Sequence, residues 1–370
     1  MFRVLHTSDL HLGKPFGRFG GDLPALLREA RYQALGRLAE AARAGGAQAI
    51  VLAGDTFDAE TPAPATLRHA LQAIAEADDL SWVILPGNHD SLAASDLWRR
   101  IAAERPANLH VALDPAPVAL GGAVVLPAPC TARRPGRDLT GALDAETDPG
   151  LPRIGLAHGA VTDFSEEGDP ALIPPDRAER SGLDYLALGD WHGQMRIGPR
   201  TWYSGTPEAD SFKHDGAAAA LLVGIAGPGA VPEITPVATG AYDWRAVALE
   251  LLPGEDGAAR LAAALPPAGR RRMTLLRLRA SGRLSLAARG ALEAAIGAAR
   301  DDFGWFEADL SALGLERAVE DLDDIDRAGA LRRAAEDLWD EAGNPALSAE
   351  DREVARAALA RLYALATEQA

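Results

Sequence analysis

Trp82-Val83-Ile84-Leu85-Pro86-Gly87-Asn88-His89-Asp90 is the stretch from which the fold can be read: a short apolar run that stops on a glycine, an amide, an imidazole and a carboxylate. Such a run reads as a buried strand, and the turn after it carries metal-binding side chains. The same layout recurs four times. Phe2-Arg3-Val4-Leu5 leads to Asp9-Leu10-His11, Ala49-Ile50-Val51-Leu52 to Gly54-Asp55, Arg153-Ile154-Gly155-Leu156 to His158-Gly159, and Tyr185-Leu186-Ala187-Leu188 to Gly189-Asp190-Trp191-His192. Between the first three runs, residues 23–44 and 63–77 repeat apolar residues at helical spacing. Strand and helix therefore alternate, which predicts an α/β sheet with crossover helices. Ligands of open α/β sheets gather beyond the carboxyl ends of the strands, so all five clusters can share one crevice at one sheet edge.

The donor types narrow the chemistry. Carboxylate, amide and imidazole without sulfur suit Mn²⁺ or Mg²⁺, and less well Fe²⁺ or Zn²⁺. The single cysteine, Cys130, lies outside the clusters and reads as an inert small side chain. A carboxylate bridging two ions roughly 3.5–4 Å apart lets them share an activated water and neutralise both oxygens of an in-line phosphoryl displacement. Asp55 is the candidate bridge. Taken singly, an Asp-x-His or a Gly-Asp is more often a cap or a turn. Gly-Asn-His-Asp after an apolar strand is far more specific, and five such clusters in this order leave a purely structural reading little room.

The ordered set Asp9-x-His11, Gly54-Asp55-x-Phe57-Asp58, Gly87-Asn88-His89-Asp90, His158-Gly159 and Gly189-Asp190-x-His192 resembles the calcineurin-like metallophosphoesterases. Within them it looks most like the SbcD-type, YhaO-like DNA-repair nucleases, on the Gly-Asp-x-Phe-Asp form, the Tyr203-Ser204-Gly205-Thr206-Pro207-Glu208 stretch and the presence of a further domain. The motifs span about residues 1–240. The resemblance implies an α/β sandwich of β-sheets flanked by helices, with a smaller αβ capping domain and C-terminal helices. It implies one metal held by Asp9, His11, Asp55 and His192, and a second held by Asp55, Asn88, His158 and the residue at 190. His89 then matches the family's catalytic histidine, with Asp58 placed to orient it. A histidine beside a bound phosphodiester and a carboxylate is suited to proton transfer; the plain alternative is that it braces the turn.

Position 190 departs from the family's Gly-His-x-His. A carboxylate in place of an imidazole adds one negative charge to the site, so an anionic phosphodiester should be drawn in less strongly and a harder ion preferred. The expectation is that Asp190 is a ligand and activity survives, with Mn²⁺ first and Mg²⁺ or Fe²⁺ as alternatives. A weakened or one-metal enzyme is the competing reading.

At 370 residues and 48% hydrophobic content the chain is long enough for two domains with a sizeable core. The first strand starts at once, with no signal segment, no apolar run approaches a membrane span, and one cysteine excludes an internal disulfide. These features point to the cytoplasm and to no membrane. The net charge of −16, with only two lysines, Lys14 and Lys213, runs against a strong intrinsic affinity for DNA. Local cationic candidates are Lys14 and Arg18 after the first cluster, Arg133-Arg134-Pro135-Gly136-Arg137, and Lys213-His214. Lys14 and Arg18 are the substrate-binding candidates, although a solvated surface charge is an equal reading for each. His6, His69 and His110 read as core or packing residues.

Residues 1–240 form the expected nuclease domain. Two strands between Gly216 and Thr239 break at Gly227-Pro228-Gly229, and an acidic run follows much later at Glu320-Asp321-x-Asp323-Asp324-x-Asp326. Residues 241–325 read as strands at 246–252, 273–280 and near 305–310 with a helix at 286–299, resembling in layout the capping domain that selects DNA shape in SbcD-type proteins. Residues 326–370 read as two helices, at 328–340 and 348–366, with Ser348 a good N-cap. The resemblance implies DNA as substrate and docking of an SbcC-like coiled-coil ATPase on this last segment, and it admits a homodimer. Leu331, Leu338, Trp339, Leu359, Leu362 and Leu365 would form the docking face, or else pack onto the preceding domain. No Gly-x-x-x-x-Gly-Lys-Ser/Thr motif occurs, so ATP hydrolysis would come from a partner. A small-molecule or cyclic-nucleotide phosphodiesterase and a weakly active scaffold protein of a repair complex are the alternative functions.

Overall fold

The computed structural model describes residues 1–161, 172–214, 217–316, 322, 325–326 and 329–368. It divides into two compact units, Met1–Asp243 and Trp244–Ala370.

In the first unit, β1 (Phe2–Thr7), α1 (Leu23–Ala44), β2 (Ala49–Leu52), α2 (Pro64–Ala75), β3 (Ser81–Ile84), α3 (Ser95–Glu104) and β4 (Leu109–Val111) alternate as the apolar runs require. β1 to β4 pair in parallel. The chain then moves to a second sheet through β5 (Val118–Ala119), β6 (Val124–Ala128), β7 (Arg153–His158), α4 (Arg177–Arg180), β8 (Tyr185–Gly189), β9 (Met195–Arg196) and β10 (Thr201–Tyr203). It returns to the first sheet with β11 (Ala219–Ile225) and β12 (Glu233–Ala238). The sheet orders are β12-β11-β1-β2-β3-β4 and β5-β6-β7-β8-β10-β9.

Side-chain alternation assigns each strand's two faces to different cores. Val4, Val51, Val83, Val125, Ile154, Leu156 and Val223 fill the space between the sheets. Leu5, Ile50, Leu52, Trp82 and Ile84 face outward against Leu35 and Leu38 of α1, Leu67 of α2 and Ile101 of α3. Leu126, Leu186 and Leu188 do the same on the second sheet against Leu143 and Ala178. Strands buried on both faces read as unbroken apolar runs, which reveals where the strands lie without saying which sheet each joins. The expectation of a single sheet edge is corrected accordingly: the metal-binding loops come from β1, β2 and β3 of one sheet and β7 and β8 of the other.

The second unit has a three-stranded sheet, β13 (Asp243–Leu251), β14 (Thr274–Leu284) and β15 (Trp305–Leu315), in that order, with α5 (Gly257–Ala264), α6 (Ala268–Arg271) and α7 (Leu286–Arg300). β14 and β15 run parallel, with α7 as their crossover. Leu276, Leu278, Leu292, Ile296 and Phe306 form its core. α8 (Ala330–Gly343) and α9 (Ala349–Glu368) complete the unit. Leu359 is buried with Leu286, Leu322 and Ile325, and Leu338, Trp339 and Leu362 pack against that cluster. Of the proposed docking side chains, Leu331 and Leu365 are the exposed ones, at 49% and 42%. Most of the acidic run at 320–326 and the expected helix start at Ala328 lie outside the described residues. Among the described residues no helix is long and apolar enough to cross a membrane.

Trp82 is fully buried at the centre of the outward core of the first sheet, so Trp82→Ala should cost about 3–5 kcal/mol of unfolding free energy. Urea denaturation would measure it, and Trp82→Phe should lose much less because most of the volume stays.

Candidate metal centre

The ladder between β1 and β2 does not stop at the strand ends. Asp9 N donates to Gly54 O at 3.1 Å, His11 N to Asp55 O at 3.0 Å and Leu12 N to Thr56 O at 2.9 Å, so the two loops are held as extensions of the sheet. Within them the backbone is strained. Five described non-glycine residues have positive φ, and four of them are candidate ligands: Asp9 at 55°, His11 at 42°, Asp55 at 52° and Asp190 at 104°. Such conformations persist where the surroundings over-determine them, typically at functional sites. Close approach of the loops needs glycine. A Cβ at Gly54, whose φ is 89°, would collide with the His158 ring and lie 2.8 Å from Gly87 Cα, and one at Gly189 would run into Ala53 O.

Three imidazoles from three loops are oriented alike. His158 Nδ1 lies 2.8 Å from Ala53 O, His11 Nδ1 3.2 Å from Asp58 Oδ1, and His192 Nδ1 3.2 Å from Asp210 Oδ1. An oxygen near each Nδ1 favours a proton on that nitrogen and turns Nε2 toward the carboxylates, where it can offer a lone pair once free of its own proton. The Nε2 atoms of His11 and His192 face each other at 3.2 Å. Two lone pairs at that distance repel unless a cation or proton stands between them. His158 Nε2 is buried without a hydrogen-bond partner among the described residues, 3.5 Å from Asp55 Oδ1 and 3.7 Å from Asp190 Oδ1.

Asp55 faces both halves of this arrangement. Its Oδ1 is on the His158 side, and its Oδ2 is 3.6 Å from His11 Nε2. Ligand atoms of Asp9, His11 and His192 lie within 4.8 Å of one another, as do those of Asp9, Asp55 and His158. Divalent cations fit this donor set, which supplies carboxylate oxygens, unprotonated imidazole nitrogens and no sulfur. Asn88 Nδ2 donates to Asp190 Oδ1 at 2.8 Å, so both residues join the His158 side. The Asp190 main-chain N–H reaches both oxygens of Asp9 at 3.2 Å, a contact any residue at 190 could make.

His89 is brought to the same place, 4.7 Å edge-on from the His11 ring, and its N–H donates to Asp55 Oδ1 at 2.8 Å. Its Nδ1 is 3.0 Å from the main-chain carbonyl of Asp58. Asp58 therefore serves two rings, His89 through its backbone and His11 through its carboxylate, rather than His89 through the carboxylate alone.

Several site residues had no assigned role from sequence. Asp210 meets His192 Nδ1, Lys14 Nζ at 2.5 Å and the buried Arg31 at 3.5 Å. Burial opposes its charge, but His192, Arg31 and Lys14 outweigh that and hold it well below the usual carboxylate range. Lys14, expected to meet substrate, thus has its ammonium on Asp210. Arg18 stacks over the Phe19 ring at 4.7 Å. Arg31 also donates to the carbonyls of Leu10 and, at 3.1 Å, Glu208, tying α1 to two site loops. An arginine inside the apolar stripe of α1 was the readable signal. Asp90 accepts from Phe57 N at 3.0 Å and Gly87 N at 2.7 Å, and Trp98 Nε1 donates to Asp90 O at 2.6 Å. Burial, helped by Asp55, pushes Asp90 up to about 7.

The Tyr203-to-Glu208 stretch proves to be bracing. Tyr203 Oη donates to Gly159 O at 2.7 Å, Thr206 Oγ1 to Asp9 O at 2.9 Å, and Glu208 accepts from Arg37, Ala241 N and Tyr242 N. The remaining expectations are plain. His6 is buried against the Tyr185 hydroxyl at 2.8 Å and pushed down to about 3 by burial. His69 stacks on Tyr32, and His110 lies in β4. His214 meets Trp191 edge-on, and Lys213 is exposed. Cys130 is buried and, by burial first and nearby Asp55 second, pushed up to about 12, which leaves it unreactive.

Residues 2–194, which carry this two-sheet edge with its oriented imidazoles and central aspartate, match the calcineurin-like phosphoesterase model. The chain belongs to that family of metal-dependent phosphoester hydrolases. Among curated relatives, the D component of the SbcCD nuclease of Escherichia coli K12 is 38% identical over 104 residues, 27% of this chain and 24% of that one. YhaO of Bacillus subtilis strain 168, an uncharacterized metallophosphoesterase, is 28% identical over 240 residues, 60% of this chain and 57% of that one. The matches thus span between a quarter and somewhat over half of these relatives. A solved structure of a Thermus thermophilus protein aligns over 55% of this chain and 89% of its own at TM-score 0.36 and 14% identity, a likeness from which nothing is argued.

Two measurements probe the centre. Asp210→Asn leaves His192 without its anionic partner and should weaken Mn²⁺ binding by about 10–100-fold, read by calorimetry. Burial would lower His158, but Asp55, Asp9 and Asp190 overcome it and push the ion-free ring up to about 9. An ion must then displace a proton, so Mn²⁺ affinity should rise about tenfold per pH unit from 7 toward 9. Titration in buffers of different ionisation enthalpy should register the released proton; a pH-independent affinity would contradict this protonation state.

Proposed function

We propose that the chain is a metal-dependent DNA phosphodiesterase, an exo- or endonuclease of DNA repair. The observation that carries the reading is the pair of opposed Nε2 atoms of His11 and His192 beside the Asp55 carboxylate, a geometry suited to cations, with His89 next to it. In this reading Asp9, His11, Asp55 and His192 hold one divalent ion, and Asp55, Asn88, His158 and Asp190 hold a second. Mn²⁺ is preferred, with Mg²⁺ or Fe²⁺ as alternatives. Bound ions supply an activated water and neutralise charge on the phosphoryl oxygens.

The chain's own residues do the rest. With Nδ1–H donating to the Asp58 carbonyl, His89 presents Nε2 to the centre, where it would take up a proton and, as the imidazolium, give it to the departing oxygen. Asp90 and Trp98 keep the His89 turn in place, and Asp58 and Asp210 set the rings of His11 and His192. The likeness to one component of a two-part nuclease supports DNA as substrate and, by its name, a second protein as partner: an SbcC-like coiled-coil ATPase. Under this reading the second unit selects DNA shape, Leu331 and Leu365 contact the ATPase, the chain works in the cytoplasm and a homodimer is admitted.

The net charge of −16 favours a second reading, a phosphodiesterase of small molecules or cyclic nucleotides, which needs no extended basic face. Assays with Mn²⁺ on linear DNA, circular DNA and bis(4-nitrophenyl) phosphate separate the two. The nuclease reading expects cleavage of linear DNA and a loss of about 10²–10⁴-fold in rate for His89→Gln. Hydrolysis of the small ester with none of DNA, even with the ATPase present, would assign the second reading. An unchanged rate in His89→Gln would remove His89 from the chemistry.

A further inference from the structure

Beside the candidate centre lies a cavity of about 440 Å³, within the range that encloses a small ligand. Asn88, His158 and Asp190 line it, so it opens on the half of the centre assigned above to the second ion. Ala128, Leu139 and Ile173 give it an apolar part. Arg133, Arg134 and Arg137 complete the lining. All three arginines are exposed, and among the described residues none has a carboxylate at ion-pair distance. Their acidic neighbour Asp138 is already committed, with Oδ2 on Arg177 at 2.8 Å and Oδ1 on the Thr140 hydroxyl at 2.6 Å. Elsewhere in this unit Arg37, Arg43 and Arg200 are held by Glu208, Asp79 and Asp184, while Arg3, Arg28, Arg105 and Arg196 are held by main-chain carbonyls. Three guanidinium groups without a carboxylate partner among the described residues thus stand within five residues on a cavity that also reaches the centre.

Guanidinium groups recognise phosphate through paired N–H donors. A cavity with a cationic lining, an apolar part and one side at the centre suits a nucleoside bearing a phosphate of its own. We propose that this cavity receives the nucleoside adjoining the scissile phosphate, with base and sugar on the apolar part and a second phosphate on Arg133, Arg134 and Arg137. The proposal rests on the phosphodiesterase reading and narrows its substrate. The volume takes one nucleoside and excludes a duplex, so the favoured substrate is a strand end carrying a terminal phosphate.

Calorimetry in EDTA isolates the arginines from any ion. Thymidine 5′-monophosphate should bind the wild-type chain at least tenfold more tightly than thymidine, and the combined Arg133→Ala, Arg134→Ala and Arg137→Ala variant should bind the two alike. The matching triple lysine variant should keep part of the preference. Equal affinities in the wild type, or a preference that survives the alanine variant, would overturn the pocket. Hydrolysis of bis(4-nitrophenyl) phosphate with Mn²⁺ by the wild type checks the underlying reading separately. Linear DNA and the ester both left intact, alongside an arginine-dependent preference, would leave the pocket standing and remove the phosphodiesterase; cleavage of either without the preference would do the opposite.

Discussion

Two imidazole nitrogens held 3.2 Å apart beside two buried aspartates need a proton or a cation between them. Much of the local construction exists to keep them there. The sheet ladder runs on past β1 and β2 so that Asp9, His11 and Asp55 stay in left-handed backbone. Gly54 and Gly189 let three loops approach closer than any side chain would permit. Arg31, buried without contact to any candidate ligand's side chain, ties the carbonyls of Leu10 and Glu208 and the carboxylate of Asp210 into one knot. A divalent cation would find this donor set only in the folded chain, which makes folding and ion affinity parts of one equilibrium.

The sequence carried the strand positions because strands buried on both faces must be apolar throughout, and it carried the ligand candidates because their chemistry is distinctive. Asp9, His11, Asp55, Asn88, His158, Asp190 and His192 are all brought together. Sheet membership was not legible. Val51 and Val83 on one sheet and Ile154 and Leu156 on the other meet in the same core, and nothing in four to six apolar residues distinguishes them. The supporting residues were the least visible. Asp210 and Glu208 owe their roles to burial beside Arg31 and Arg37, and burial of an acid is a property of the fold rather than of its neighbours in sequence. Asp58 shows the same limit at finer grain. Its place in the motif was readable, while the division of its backbone and its carboxylate between two histidines was not.

Charge is distributed to match. The half-buried Lys14 and the buried Arg31 are both paired with Asp210 beside the centre, so they set geometry rather than attract ligand. Attraction of an anion is left to groups outside that network, and the Arg133 to Arg137 loop is where such groups line a cavity. A strongly acidic chain could in this way still draw in a phosphate ester, with general repulsion offset locally at that cavity.

Position 190 shows how far one substitution can be absorbed. Its main-chain N–H holds Asp9 whatever the side chain, so part of its work is independent of identity. The carboxylate does something an imidazole donor would not: it accepts from Asn88 Nδ2, which turns Asn88 Oδ1 into the atom left to face a cation. Burial raises Asp190, while His158 and His192 favour its charged form. The backbone there has φ 104°, a strained conformation whatever the side chain. Under the proposed reading the departure from the family pattern would exchange a neutral ligand for an anionic one that also bonds its neighbour Asn88, and the arginine-lined cavity lies on that side of the centre.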